Sequence, residues 1–470
     1  MKIEQIYTGC IAQAAYYIES NGEAAIFDPL REVQPYLDRA AKDNATIKYI
    51  FETHFHADFV SGHLDLAQKS GGKIVYGPTA NPAFEAIIAE DNQVFKVGLY
   101  TITAIHTPGH TLESTCYLLT DENGKQHGII TGDTLFIGDV GRPDLAQALT
   151  EELTQEKLAS HLYDSLRNKI MPLSDELIVY PSHGAGSACG KNMSKETTDT
   201  LGNQKRTNYA LRADMTKEEF IKELLDGLGA PPAYFPQNVM LNIKGYQSLD
   251  TVMQNSKVAL SPKEFETIAN QDDIIILDVR HETDFVKAHI PNSIFIGIQG
   301  NFAPWVGSLL RDVNQKLLLI TPEGKEEETI TRLSRVGFDH VLGYLKGGIS
   351  AWEEAGFETD SITSITPETF AAQFNKDSLV VDARKPGEYE AEHVENAVNI
   401  PLDSINENFQ SVPRNKEFFL HCAGGYRSVI MASILKSRGI HNLINVEKGM
   451  NGIKQTQVPC TQFVCPSTKK

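Results

Sequence analysis

The sequence predicts an α/β protein in three parts: a layered sandwich of helices and sheets, then two smaller α/β domains with parallel sheets. Three observations predict it. A length of 470 residues accommodates about three domains of roughly 150 residues. Residues 1–190 carry strand-like runs in groups with helices between the groups, which suits stacked layers better than strict β-α alternation. The second half holds an internal repeat.

In the first part, AYYIE, EAAIFD, IKYIFET, KIVYG, YTITAIHT, CYLLT and GIITGD have the length and the β-branched and aromatic content of strands. HLDLAQKS and EELTQEKLASHLYDSLRNKI read as helices. After residue 190, SKETTDTLGNQKRTNYAL and TKEEFIKELLDGL are helical in pattern, with Ser194 and Thr216 as N-caps. Glu219 completes a capping box on Thr216. PPAYFP breaks that pattern. The segment reads as a connector packed on the first part, which then spans 1–245.

The repeat carries the rest. One copy runs IIILDVRHETDFVKAHIPNSIFI, KLLLITPEG, HVLGYLKGGISAW; the other runs SLVVDARKPGEYEAEHVENAVNIPL, EFFLHCAGGYRS, NLINVEKGMNGIK. Each is a strand ending in Asp-x-Arg, a helix, a strand ending in a loop, a helix, and a last strand ending in Lys-Gly-Gly or Lys-Gly-Met. This is βαβ order around a parallel sheet. The copies occupy 255–360 and 364–456, and 457–470 is a C-terminal tail.

Composition narrows the function. A net charge of -18 argues against nucleic acid, whose phosphates need a basic face, and against anionic membrane surfaces. The apolar runs are strand-sized, well short of a membrane span. The N-terminus lacks a basic region followed by an apolar one. Six scattered cysteines do not form a disulfide framework, so a reducing cytoplasm is expected. Cys460 and Cys465 read as part of the tail.

Chemistry-bearing residues recur at strand ends. Thr53-His54-Phe55-His56-Ala57-Asp58-Phe59 follows IKYIFET, and the spacing of His54 and His56 by two predicts that both face one side. Thr107-Pro108-Gly109-His110, Thr131-Gly132-Asp133 and Pro181-Ser182-His183-Gly184 follow in order. Strand ends converging on one rim are how a sheet gathers a metal site from distant sequence. These four segments resemble the metallo-β-lactamase superfamily, and the resemblance implies its αββα sandwich.

Dinuclear zinc hydrolases of that superfamily carry HxHxDH; here the last position is Phe59, which cannot ligate. The sequence more closely resembles the persulfide dioxygenase branch. That resemblance implies one Fe(2+) per chain on His54, His110 and Asp133, a two-histidine, one-carboxylate set with open positions. His56, Asp58 and His183 would then orient those ligands, with His56 a direct ligand if the metal is Zn(2+). Two stretches strengthen the likeness. Asp133 to Asp144 resembles the segment that follows the aspartate ligand in those enzymes, and places Arg142 near the substrate or as a loop clamp. His183-Gly184-Ala185-Gly186-Ser187-Ala188-Cys189-Gly190-Lys191 resembles the dioxygenase–rhodanese fusions, and offers Cys189 as a second thiol near the iron. Glu113 departs from the pattern, where many relatives have Gly.

In the second repeat copy, Cys422 ends an apolar strand inside the loop Ala423-Gly424-Gly425-Tyr426, ahead of a helix. Backbone N–H groups and the positive helix end stabilise a thiolate and then a persulfide there. Arg427 adds a cation for sulfite or thiosulfate. With Asp382, Arg384 and His393, this copy resembles the rhodanese family. Aligning the copies sets Pro322 opposite Cys422 and Glu327 opposite Arg427, so the first copy is an inactive rhodanese, a spacer or docking domain.

Together these resemblances imply that glutathione persulfide or coenzyme A persulfide is oxidised by O2 to sulfite, with Cys422 transferring sulfur to make or use thiosulfate, in either direction. Fusion raises the local concentration of the shared intermediate. A homo-oligomer is expected. The rival readings are a zinc-dependent thioester hydrolase of glyoxalase II type fused to a sulfurtransferase, and a non-enzymatic sulfur carrier.

Overall fold

The computed structural model describes residues 2–144 and 153–464. Two compact units emerge. The first comprises 1–252 with 311–313 and 331–338; the second comprises the remainder.

The first unit holds two six-stranded sheets. One runs Lys2–Thr8, Gln13–Ser20, Glu23–Phe27, Thr46–Phe51, Lys73–Tyr76, Ile87–Ile88 in spatial order. The other runs Asp199–Thr200, Ile178–Pro181, Gln126–Gly132, Thr115–Thr120, Tyr100–His106, Val94–Val97. Side-chain alternation sorts each strand between two cores. Tyr16, Ile18, Phe27 and Phe51 meet Tyr117, Leu119 and Ile130 between the sheets. Phe27 stacks on Phe51 at 4.8 Å, and Phe51 lies 4.9 Å from Tyr117, tying sheet to sheet. The alternate residues Ala15, Tyr17 and Ile26 pack outward on Val33, Tyr36, Ala40 and Leu66 of the covering helices. Cys116, Leu118 and Ile129 pack on Ala159, Leu162 and Phe220 on the opposite outer face. The result is an αββα sandwich.

The connector departs in detail from its sequence pattern. Ser194 caps nothing helical; Asp199–Thr200 extends the second sheet, and Thr200 caps the helix Leu201–Thr207. The hydrogen bonds of the sheet edge outcompete helix propensity there. Thr216 and Glu219 form the expected capping box. The preceding helix already ends at Leu225, before PPAYFP, which instead opens another, Phe235–Lys244, with a proline in its first turn, where a missing N–H costs nothing. The helix Gln155–Ser165 is capped by Thr154; the start of its sequence pattern, residues 151–152, lies outside the described residues, as does Cys465.

In the second unit the repeat copies share one topology. Each has a five-stranded parallel sheet: Ala259–Leu260, Val341–Leu345, Lys316–Ile320, Ile274–Asp278, Ile294–Phe295 in one. The other runs Ser364–Ile365, Leu443–Val446, Phe418–His421, Val380–Asp382, Val398–Asn399. No helix among the described residues is long and apolar enough to cross a membrane.

Candidate metal centre and cysteine loop

The strand Thr46–Phe51 ends just before the His54 segment, and the helix Phe235–Lys244 holds that segment in place. Asn242 donates to the carbonyls of His56 (2.8 Å) and Phe59 (2.9 Å) and accepts from Ser61 N (2.9 Å). Glu113 accepts from Phe55 N at 2.9 Å, giving the residue that departs from the family pattern a role in holding the loop.

His54, His110 and Asp133 bring one donor atom each within 4.8 Å of one another, and all three are buried. The histidines are oriented from behind. Nδ1 of His110 faces Arg142 O at 2.8 Å, Nδ1 of His183 faces Ala12 O at 3.1 Å, and Nδ1 of His54 faces Thr53 Oγ1 at 2.9 Å. The Thr53 hydroxyl donates to Asp28 Oδ2 (3.0 Å), so it accepts from His54. A proton on each Nδ1 leaves each Nε2 a lone pair, the tautomer a metal requires. Those atoms surround the Asp133 carboxylate: Nε2 of His110 at 3.4 Å, of His183 at 3.6 Å and of His54 at 4.0 Å. His110 Nε2, His183 Nε2 and both Asp133 oxygens have no hydrogen-bond partner. Buried acceptors left facing one another are costly unless a cation joins them, so the residues fit a metal ion. Burial and the neighbouring His56, His110 and His183 push His54 well below the usual imidazole range, which keeps its lone pair available.

The rings of His54 and His56 lie side by side, centroids 4.2 Å apart, but His56 is grouped with Asp28 and Glu52 rather than with Asp133. His56 Nε2 lies 3.1 Å from Asp28 and 3.4 Å from Glu52. Burial opposes its charge, but those two carboxylates outweigh it and raise its pKa well above the ordinary value. Glu52 also meets His63 at 3.3 Å and accepts from the Ser61 hydroxyl. Sequence reading missed Asp28, Glu52 and His63; the available signal was an apolar strand, EAAIFD, ending on a carboxylate as GIITGD does.

Asp58, His183 and Cys189 form a further buried group, with Asp58 Oδ2 at 3.4 Å from His183 Nε2. Burial, then Asp58 and Asp133, push the Cys189 thiol well up. Arg142 is a clamp: its guanidinium grips Asp144 through two 2.6 Å bonds and the carbonyls of Ala188 (3.2 Å) and Gly229 (2.5 Å).

In the second unit, Cys422 follows the strand Phe418–His421 and is 1% exposed. Gly425 N donates to its Sγ at 3.1 Å, and Gly425 leads into the helix Tyr426–Ser437. Ala423 and Gly424 complete the turn; Asn451 N donates to Ala423 O at 3.0 Å and Met450 N to Cys422 O at 2.7 Å. A Cβ on Gly449 would meet Cys422 O at 2.2 Å, which explains the glycine of the Lys-Gly signature. Arg427 is paired through both terminal nitrogens with Glu388, at 2.6 and 2.8 Å. Asp382 and Arg384 form a buried clamp, matched by Asp278 and Arg280 in the other copy.

Strand register revises the alignment of the copies. Asp278 pairs with Ile320 as Asp382 pairs with His421. The residue opposite Cys422 is therefore Thr321 rather than Pro322. The loop from Thr321 to Lys325 is one residue longer than that from Cys422 to Gly425, which shifted an alignment anchored on the helices.

A model of the metallo-β-lactamase superfamily matches residues 8–183, and one of the rhodanese-like domain matches 261–355 and 366–456. The hydroxyacylglutathione hydrolase of Pseudoalteromonas translucida is 31% identical over 230 residues, covering 44% of this chain and 81% of its own length. A solved metallo-β-lactamase from Staphylococcus aureus subsp. aureus COL is 31% identical with a TM-score of 0.65, covering 73% of this chain and 98% of that one.

This chain belongs to the metallo-β-lactamase superfamily.

Its superfamily domain is followed by two rhodanese-like domains. The chain spans 60% and 58% of the length of two probable hydroxyacylglutathione hydrolases of Schizosaccharomyces pombe, at 29% and 31% identity. The structure of ETHE1 from Myxococcus xanthus aligns at 26% identity and a TM-score of 0.43, covering 52% of this chain and 96% of that one. In this superfamily domain Phe59 is fully buried, its ring 4.2 Å from that of His56. It supplies packing where a further metal ligand could otherwise stand.

Proposed function

We propose that the superfamily domain is a non-heme iron persulfide dioxygenase, and that the last domain is a sulfurtransferase acting through Cys422. The observation that carries this reading is the buried set His54, His110 and Asp133 with Phe59 beside it, a donor set for one metal with positions left open. Iron held there would supply O2 activation. The chain's own residues do the remainder: Thr53 and the Arg142 carbonyl hold His54 and His110 in the ligating tautomer, and the closed surroundings exclude bulk water. Sulfite made from a low-molecular-weight persulfide then accepts the outer sulfur of a Cys422 persulfide, releasing thiosulfate and the Cys422 thiolate. The same exchange also runs backwards.

A second reading is a zinc-dependent thioester hydrolase of glyoxalase II type joined to a sulfurtransferase. The names of the curated relatives favour it.

The deciding experiment loads the full chain with Fe(2+) anaerobically, supplies glutathione persulfide and follows O2 uptake, with bound metals quantified on the same sample. Uptake with about one iron per chain supports the dioxygenase. No uptake, together with bound zinc and hydrolysis of a glutathione thioester, selects the hydrolase. Cys422→Ser should abolish thiosulfate chemistry and leave O2 uptake; losing both would refute separate sites.

A further inference from the structure

Within the second unit the two rhodanese-like domains enclose a cleft of about 840 Å3. The active copy contributes Tyr426 and Arg427 from the persulfide loop and helix, with Lys385. The inactive copy contributes Trp305, Gln299, Asn301, Glu282 and Asp284, and its Thr321 loop adds Pro322. The two are joined at the loop itself. Tyr426 donates its hydroxyl to Gly297 O at 2.9 Å and sets its ring edge-on to Phe295 at 5.8 Å; Phe295 N donates to Ser433 Oγ at 3.0 Å. A Cβ on Gly297 would stand 3.2 Å from the Tyr426 ring. The inactive copy is thus fixed to the helix that holds the Cys422 loop.

Sulfite or thiosulfate needs only a few donors, and this cleft is of the size that encloses a larger organic ligand. Its lining is mixed. The half-buried Trp305 offers an apolar plate, Gln299 and Asn301 offer amides that pair with peptide groups, Glu282 and Asp284 suit an ammonium, and Lys385 and Arg427 suit a carboxylate or persulfide anion. Arg280 and His281 also line the cleft, with Arg280 held by Asp278 and Arg427 by Glu388. Carboxylates and cations side by side in one lining complement a zwitterion.

We propose that the inactive rhodanese-like domain is the recognition wall of the active one, binding a zwitterionic thiol persulfide of peptide size that loads Cys422. This rests on the reading of Cys422 as a sulfur carrier. The Cys422 thiolate attacks the outer sulfur of R–S–SH. A Cys–S bond forms, the S–S bond of the donor breaks, and its electron pair leaves on RS⁻, which takes a proton from water. The transfer needs no other oxidant or reductant. Thr321 at the position of Cys422 leaves the wall without a competing thiol.

The test uses the full chain and S-methylglutathione, which cannot donate sulfur. It is titrated against tryptophan fluorescence and, separately, against thiosulfate-to-cyanide turnover. The expected results are saturable quenching that disappears in Trp305→Phe, and competitive inhibition whose Ki rises at least tenfold in Trp305→Ala and at least threefold in Asp284→Asn. The second variant decides the matter if the first does not fold. Unchanged Ki in the folded variants, or neither quenching nor inhibition, overturns the proposal. Quenching in a wild-type protein with no turnover overturns the sulfur-carrier reading, and the loading step with it.

Discussion

Oδ2 of Asp133 lies 3.4 Å from Nε2 of His110, and neither atom has a hydrogen-bond partner. Two buried lone-pair atoms at that separation demand a cation between them. Asp133→Ala should therefore release the metal, lowering bound metal from about one ion per chain to under ~0.1. Elemental analysis of the purified variant measures it, and full retention would remove Asp133 from the ligand set.

Gly141 is the next weak point. A Cβ there would come within 2.1 Å of Asp133 O and 2.9 Å of His110 Nδ1, and Gly141 N donates to that same Asp133 carbonyl. Gly141→Ala pushes two ligands at once without removing either. The loss of metal affinity should be about 10- to 100-fold, the scale seen for outer-shell damage. Competition with a chelator reads it, and an unchanged affinity would mean that the loop yields.

The sandwich was legible because strands such as Gln13–Ser20, buried on both faces, keep strand length and aromatic and β-branched content, and the repeat because both copies keep the same order of strands and signature residues. The segments of His54, His110, Asp133 and His183 stood out because each follows a strand, and the resemblance singled out His54, His110 and Asp133 among them. What stayed hidden was long-range pairing. Asp28, the carboxylate that His56 meets, lies 28 positions earlier in the chain. Arg427 read as a free cation because Glu388, its counter-charge, is 39 residues away. Ser194 read as a helix cap because sheet extension by two residues leaves almost no local signal.

Phe59 offers a gain-of-site experiment. It is fully buried beside His56 in the segment where two-metal hydrolases carry a histidine. Phe59→His should raise total bound metal from about one toward ~2 per chain in zinc-supplemented protein, because Asp58 and His183 already stand 3.4 Å apart. An unchanged stoichiometry in folded protein would show that more than the missing imidazole separates the two metal classes.

Acid should loosen the rhodanese-like domains through two histidines. His289 and His421 are both held below the usual imidazole range, first by burial. A group depressed in the folded state contributes stability that is present above its unfolded pKa of ~6.5 and is lost as pH falls through the folded value. Each should give a slope of up to about 1.4 kcal/mol per pH unit below that point. Thermal melts between pH 7.5 and 5 should follow it (~6.5 as the break), and His289→Gln should flatten the dependence. A melt independent of pH over that range contradicts the assignment.

The pairing of Arg427 with Glu388 predicts an activity gain. Glu388 is held below the usual carboxylate range first by its hydrogen bond to Arg427, so the pair is ionised at neutral pH and the guanidinium reaches the Cys422 loop partly neutralised. The side chains are 19% and 38% exposed, which makes the interaction modest and screened by salt. Glu388→Gln keeps the shape and removes the counter-charge. An incoming thiosulfate should then bind better, with KM falling about two- to fivefold and kcat little changed. The gain should shrink as ionic strength rises. If KM rises instead, Glu388 serves to aim the guanidinium, and Arg427→Lys should then be as damaging as Glu388→Gln.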